Sequence, residues 1–392
     1  MKPLEGITVL SVEQAIAVPF TTRQLADLGA RVIKVERPET GDFARHYDKS
    51  VNGMSSHFVW TNRSKESITL DLKAEKSKAV FESLLEEADI FIQNLAPGAM
   101  ERLGYGTEDL HHKFPELIIC NLSGYGDYGP YRNKKAYDLL VQCEAGLVSI
   151  TGGEDTPSKV GVSIGDIAAG MYMYSGILTA LLLRSHTGKG QVIEVSMLEA
   201  LGEWMGYPMY YAAYGGEEPR RLGASHSTIY PYGPFRCSGS DTVFVGLQNE
   251  REWVKFCEQV LLDDSLATDN RFDSNAKRSQ NRGELRVIIE YVFSTLSSEE
   301  VLQRLDGGKI ANAKLNTMRE FFNHPQLQAR DRWRDVETSA GVVQALLPPV
   351  NIKGVESVMG SVPDLGEHTD QILRDLGYSK EEIDGFRSEN LI

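Results

Sequence analysis

The chain has 392 residues, 41% hydrophobic and 24% charged, which is enough apolar material for a large domain with a smaller companion. Its formal net charge of -14, without any run of Lys or Arg, argues against nucleic acid or an anionic membrane as the main partner. In "MKPLEGITVLSVE" an acidic residue interrupts the pattern before a signal-peptide core develops, so export is not expected and a cytoplasmic location is.

The first half alternates short β-rich runs with helix-period segments. "GITVLSVE", "RVIKVE", "SITLDL", "DIFIQNL" and "ELIICNLSGYG" read as strands, and "FTTRQLADLGA" and "AEKSKAVFESLLEEA" as helices between them. This order predicts an α/β fold with a parallel, doubly wound sheet, whose ligands belong beyond the carboxyl ends of the strands, in loops such as "VERPETGD" and "NLAPGAMERLG". The segment after the first strand, "SVEQAIAVPF", lacks the glycines of a dinucleotide fingerprint, and no GxxxxGK[ST] occurs.

Residues 167–183 form an apolar run that falls short of a full membrane span and is rich in Gly, Ala, Ser and Tyr; a buried helix of a soluble core is expected. After Glu199 the aromatic, turn-rich "WMGYPMYYAAYGGEEPRRLGASHSTIYPYGPF" reads as a connecting or binding segment. "TVFVGLQNEREWVKFCEQVLL" then reads as strand and helix, and "SSEEVLQRL" opens with a capping box from Ser297 to Glu300, so a smaller second domain follows. The tail combines Pro-punctuated extended chain with an amphipathic helix. The four cysteines, Cys120, Cys143, Cys237 and Cys257, have neither CxxC nor matching His spacing, and are expected to be reduced core thiols with no metal site.

One carboxylate stands out. In "KVGVSIGDIAAGMYMYSGILTALLLR" only Asp166 is acidic, at the mouth of an apolar, small-residue helix pattern. Such a group is costly to bury alone, so it is partnered, caps the helix, or is used chemically. The residues by themselves leave these three readings open.

The motifs "LADLGARVIKVERPETGD", "SKESITLDLK", "DIFIQNLAPGAMERLG", "SGYGDYGPY", "RSHTGKGQVIEVSMLEA" and "LGEHTDQILRDLGY" occur in this order over nearly the full length. Together they resemble the class III CoA-transferase family, which includes formyl-CoA and carnitine CoA-transferases and, as relatives, the α-methylacyl-CoA racemases. The resemblance implies a Rossmann-like large domain from residues 1–200 completed by 328–392, a linker over 201–224, a small domain with a second linker over 225–327, and an interlocked, ring-like homodimer. It places the family's nucleophile at the Asp of "SIGDIAAG", Asp166. A carboxylate there attacks an acyl-CoA thioester, and the exchange runs through a mixed anhydride and an aspartyl-CoA thioester. Gly165, Ala168, Ala169 and Gly170 would let backbone amides approach the reacting carbon.

Tyr137, in "NKKAYDLL", stands where the racemases carry a histidine, and Tyr is a poor base near neutral pH. This favours transfer over the alternative, a racemase-type isomerase, and makes Tyr137 a donor or wall beside Asp166. For CoA, the resemblance implies Ala15, Ile16, Arg37, Leu70, Lys73, Asn94, Leu95, Arg102 and Lys135, with the four cations offsetting phosphate charge. CoA and its thioesters are expected as substrates, without a permanently bound cofactor. Ile16 replaces a glutamine of formyl-CoA transferase, so Gln14 or a backbone amide is expected to take its place. The glycine-rich lid of that enzyme is missing.

"EEPRRLGASHSTIYPYGPF" sets Arg220, Arg221 and His226 among aromatics, either as a solvated loop or as a clamp for the distal carboxylate of a C4 or C5 dicarboxylic acid. The expected reaction moves CoA from a donor such as succinyl-CoA to an acid such as itaconate or mesaconate, with His226 the first choice for the clamp.

Overall fold

Five of the runs read as strands lie side by side in one parallel sheet. The computed structural model describes residues 1–392, the side chain of Ser240 excepted. The strands are β1 (Thr8–Val12), β2 (Arg31–Glu36), β3 (Glu66–Thr69), β4 (Ile90–Gln93) and β5 (Ile118–Ser123), and a sixth, β6 (Val192–Ser196), comes from a motif whose strand character the sequence reading did not register. Their order is β3-β2-β1-β4-β5-β6 and every pairing is parallel. Between β1 and β4 the order reverses, which opens a crevice at their carboxyl ends.

The helices that matter are α1 (Ala17–Asp27), α2 (Ser56–Asn62), α3 (Ser77–Glu86), α4 (Asp138–Glu144) and α5 (Ile164–Thr187). Pro19 falls in the first turn of α1, where its missing N–H is no loss, and Gly29 takes φ +99° just past the other end. The core against α3 holds Leu10, Val35, Ile68, Phe81, Leu84 and Phe91. Ile372, Leu373 and Ile383 join it from the C-terminal helices Thr369–Asp375 and Lys380–Ser388, so both chain ends build this unit.

On α5 the small residues Gly165, Ala168, Ala169 and Gly170 are buried, while Met171, Tyr172, Leu182 and Leu183 on other faces are exposed. The expectation of a buried core helix therefore holds for one side only. The helix is long and apolar enough to cross a membrane, a test that the core helix of a soluble protein also passes. Close approach is the reason for its small residues: a Cβ at Gly170 would come within 2.7 Å of Ala17 O, and Thr21 Oγ1 donates to Gly170 O at 2.9 Å.

The chain divides into two compact units, one of Met1–Gly146, Val160–Tyr207 and Leu327–Ile392, the other of Leu147–Lys159 and Pro208–Gln326. Residues 147–159, assigned by sequence to the large domain, and the stretch expected as a linker from 208 to 224 are thus parts of the second unit. They are sewn together there by the Arg221 guanidinium, which donates to the carbonyls of Ser149, Gly153 and Glu154, and by the Gly223 amide on Gly152 O. The second unit has a three-stranded antiparallel sheet of Tyr232–Arg236, Thr242–Gly246 and Ala311–Lys314, with a core around Phe235, Trp253, Phe256, Leu285 and Phe293. Its helix Ser298–Gly307 opens with the expected capping box of Ser297 and Glu300.

Candidate active site

α5 starts beside α4, and that contact sets the site. Asp138, in the first turn of α4, accepts from the Gly165 amide at 2.7 Å through Oδ1 and from Gln142 Nε2 at 2.7 Å through Oδ2. A Cβ at Gly165 would stand 3.1 Å from Asp138 Oδ1, a tight contact that the carboxylate would have to yield to, so glycine eases this approach. Asp166 is the next residue. The N-cap is Ser163, without a side-chain cap bond, and Asp166 lies three residues further on, so the capping reading is not the one the fold adopts.

Among the described residues, the half-buried Asp166 carboxylate has neither a hydrogen-bond nor an ion-pair partner. Burial pushes its pKa from the usual carboxylate range up to about 7, and the nearby Asp138 carboxylate adds to the rise. The positive end of α5 acts in the opposite sense. A carboxylate placed this way is a strong nucleophile once ionised, because no donor has to be stripped from it before it attacks.

Two phenols flank the position. Tyr137 precedes Asp138 and is exposed. Tyr47, which the sequence reading missed, follows the "PETGD" motif; burial raises its pKa to about 12, and the charges of Asp42 and Asp166 and the Tyr137 phenol contribute to the rise. Its ring meets the His57 imidazole edge-on at 5.3 Å, and His57 Nδ1 lies 3.3 Å from Asp48 Oδ2. The available signal was an aromatic residue just after an acidic loop at a strand end, too common to single out.

Most of the expected CoA contacts follow the carboxyl ends of β3, β2, β1 and β4, four neighbours in the sheet. Leu70 and Lys73 follow β3, Arg37 follows β2, Ala15 and Ile16 follow β1, and Asn94 and Leu95 follow β4. Arg37, Lys73, Arg102 and Lys135 are exposed, whereas Ile16 and Leu70 are buried at 3% and 2%, which leaves their backbone rather than their side chains for a ligand. Arg102 and Lys135 lie further along the chain, beyond β4 and before α4.

The crevice is bridged: the Gln14 amide donates to Asn94 Oδ1 at 2.9 Å, and Asn94 Nδ2 returns a bond to Gln14 O at 2.9 Å. Gln14 Oε1 accepts from the Phe43 amide at 3.2 Å, so its carbonyl end is occupied. A cavity of about 840 Å³ lies beyond β4, against β5 and β6, lined by Gln93, Asn121, Asp127, Glu194 and Glu199. It meets the expected site only at Leu95 and excludes Asp166 and Tyr137. Asp166 therefore lies outside this cavity.

Beneath the crevice lies a cluster of buried charge. Lys34 Nζ donates to Asp42 Oδ2 at 2.7 Å and to Glu13 Oε1 at 3.2 Å, and Lys65 Nζ donates to Glu13 Oε1 at 2.7 Å. Arg45 grips Glu36 with two bonds of 2.7 and 2.8 Å. Burial alone would lower the Lys34 pKa, but the carboxylates of Asp42, Glu13 and Glu36 outweigh it and hold the ammonium charged.

The three residues of the expected clamp belong to the second unit. Arg221 is tied to three carbonyls and lines a cavity of about 410 Å³ with Tyr230, Arg282 and Arg286. His226 stacks on Tyr232 at 5.1 Å, and its Nδ1 accepts from the Thr228 and Ile229 amides at 3.2 and 3.1 Å. Arg220 is exposed. Among the described residues no group of His, Cys, Asp and Glu is arranged to hold a metal, and the four cysteines are free.

Comparison with known proteins shows what this chain is similar to. A family model described as CoA-transferase family III matches residues 4–369. The succinyl-CoA:glutarate CoA-transferase of Mus musculus is 32% identical, covering 96% of this chain and 87% of its own length. The succinyl-CoA:mesaconate CoA-transferase of Haloarcula hispanica is 32% identical over 96% of this chain and 97% of its own. The acetyl-CoA:oxalate CoA-transferase of Acetobacter aceti is 34% identical, with 90% of each chain covered. Among solved structures, a CAIB/BAIF family protein from Brucella suis has a TM-score of 0.85 at 31% identity and covers 96% of this chain and 99% of its own.

Proposed function

Since this chain belongs to CoA-transferase family III, we propose that it moves CoA from an acyl-CoA, succinyl-CoA foremost, to a small dicarboxylic acid, with Asp166 as nucleophile. The observation that carries this reading is the half-buried Asp166 carboxylate, which lacks any partner among the described residues. An ionised Asp166 oxygen attacks the thioester carbonyl, the C–S bond breaks, and a mixed anhydride and CoA thiolate result. The thiolate attacks the aspartyl carbonyl, releasing the donor's acid and leaving an aspartyl-CoA thioester. The acceptor carboxylate then attacks that thioester, CoA leaves, and its thiolate takes the acceptor's acyl carbon and restores Asp166. Each tetrahedral oxyanion needs fixed donors, for which Tyr137, Tyr47 and the backbone amides near Ile16 are the candidates.

The dicarboxylate class rests on relatives named for glutarate and mesaconate. Itaconate belongs to the same class. With Nδ1 accepting from two amides, His226 has only its Nε2 left to offer a ligand. We also read the exposed Met171, Tyr172, Leu182 and Leu183 of α5 as surface covered in a homodimer.

The test combines trapping with exchange. Incubation with succinyl-CoA and hydroxylamine should modify Asp166, and Asp166→Ala should lose about 10⁴-fold or more of CoA transfer to glutarate or mesaconate. An Asp166→Ala variant that still transfers CoA would falsify the mechanism, faster transfer to monocarboxylic acids would remove the dicarboxylate class, and α-deuterium uptake without CoA exchange would indicate an isomerase instead.

A further inference from the structure

The steps just described use none of the charges buried under the crevice, yet one of them reaches it. Glu13, Lys34 and Asp42 are 0% exposed and Lys65 is 3% exposed. Asp42 turns Oδ2 down to Lys34 and Oδ1 up, where it accepts from the Ala15 amide at 3.0 Å and from the Ala44 amide at 2.9 Å. Ala15 has φ +64°, a left-handed conformation that a residue with a side chain keeps only where its surroundings hold it there. With three donors fixing its two oxygens, the Asp42 carboxylate has no second rotamer that preserves its bonds.

The turn it pins leads directly into α1. The first residues of α1 lie against Gly170, one helical turn past Asp166, as the 2.9 Å bond from Thr21 Oγ1 to Gly170 O records. Tyr47 lies within electrostatic reach of both Asp42 and Asp166. The start of α1 thus packs one helical turn beyond Asp166, and the turn before it depends on a carboxylate whose own position depends on Lys34.

We propose that Asp42, locked by the buried Lys34, is a positioning residue for CoA transfer: its Oδ1 holds the turn of Gln14, Ala15 and Ile16 where the thioester carbonyl meets Asp166. This rests on the reading of Asp166 as nucleophile. Charge balance alone is a purely structural role and any neutral replacement of the pair satisfies it, whereas positioning requires an acceptor at the Oδ1 place.

Two double variants separate these roles, because each removes one cation and one anion and leaves the pairs Glu13 with Lys65 and Glu36 with Arg45 intact. Lys34→Met with Asp42→Asn keeps an acceptor for the Ala15 amide; Lys34→Met with Asp42→Ala does not. The expected result, with succinyl-CoA as donor and glutarate as acceptor, is turnover within about tenfold of the parent value for the Asn variant, which keeps the acceptor but loses the Lys34 lock. The Ala variant should lose roughly 10²-fold in kcat, with its thermal midpoint matching that of the Asn variant and the donor KM little changed. If the Ala variant does not fold, Lys34→Met with Asp42→Ser replaces it with the same expected loss. Equal turnover in the two variants, a change confined to KM, or a loss that follows the thermal midpoint overturns the proposal. Absence of an Asp166 adduct in the unaltered protein is instead a failure of the nucleophile reading.

Discussion

Two neighbouring places in the first unit bury carboxylates, and they treat them in opposite ways. Under the crevice, Glu13, Asp42 and Glu36 meet Lys34, Lys65 and Arg45, each charge with a partner in hydrogen-bond contact. At the start of α5, Asp138 and Asp166 share a small volume without any cation. The first arrangement offsets much of the cost of desolvation and keeps Lys34, Glu13 and Glu36 ionised, while burial, against the attraction of Glu13, still pulls Lys65 down to about 7. The second leaves that cost standing, so Asp166 binds its proton more tightly and, once ionised, is free to react. Whether a buried carboxylate serves as framework or as reagent is decided here by the presence of a cation.

The sharpest way to break this comparison is to strip the framework of one charge. Lys34→Met leaves Asp42 without its cation and Glu13 with Lys65 alone, and should cost about 3–5 kcal/mol of unfolding free energy in urea titration. A loss near zero would mean that the cluster is no better than an uncharged core.

The reagent side should respond in the reverse direction. Asp166 titrates at about 7 in the folded chain against an ordinary 3.8, so the folded state binds this proton more tightly than the unfolded state does. That contribution to stability is present at low pH and is lost as pH rises from about 4 to 7. Asp166→Asn should therefore be more stable than the parent at pH 8 by about 2–4 kcal/mol, and equal to it near pH 4, in paired urea titrations. A variant that is less stable at both pH values would place Asp166 with the framework.

A smaller effect sharpens the cause of that shift. Asp138→Asn keeps an oxygen for the Gly165 amide but removes the negative charge, so the rising limb of kcat/KM against pH, expected near 7 in the parent, should move to lower pH. An unmoved limb would assign the whole rise to burial.

Much of the fold was legible because apolar runs of strand length and helix period alternate: β1, β2, β4, β5 and α3 fall within the runs read for them, and β3 and α1 overlap theirs, starting one and three residues earlier. Elements without such contrast were not. Gly206–Gly215 is helical although its glycines and proline suggest turns, and β6 alternates exposed and half-buried residues at the sheet's edge. At the candidate site, Asp166 and the row of strand-end loops stand out in the motifs, whereas Tyr47 and the bonds that Asp42 makes do not.

By itself the sequence determined that loops with chemical groups follow parallel strands and that one carboxylate opens an apolar helix, since both follow from periodicity and local spacing. Only the tertiary structure decided which carboxylates receive a cation. Lys65 reaches Glu13 across 52 residues and Asp138 reaches the Gly165 amide across 27, while Asp166, among the described residues, is left without a hydrogen bond or an ion pair. Such long-range pairings are fixed by how helices and strands pack, and no local stretch of chain encodes them.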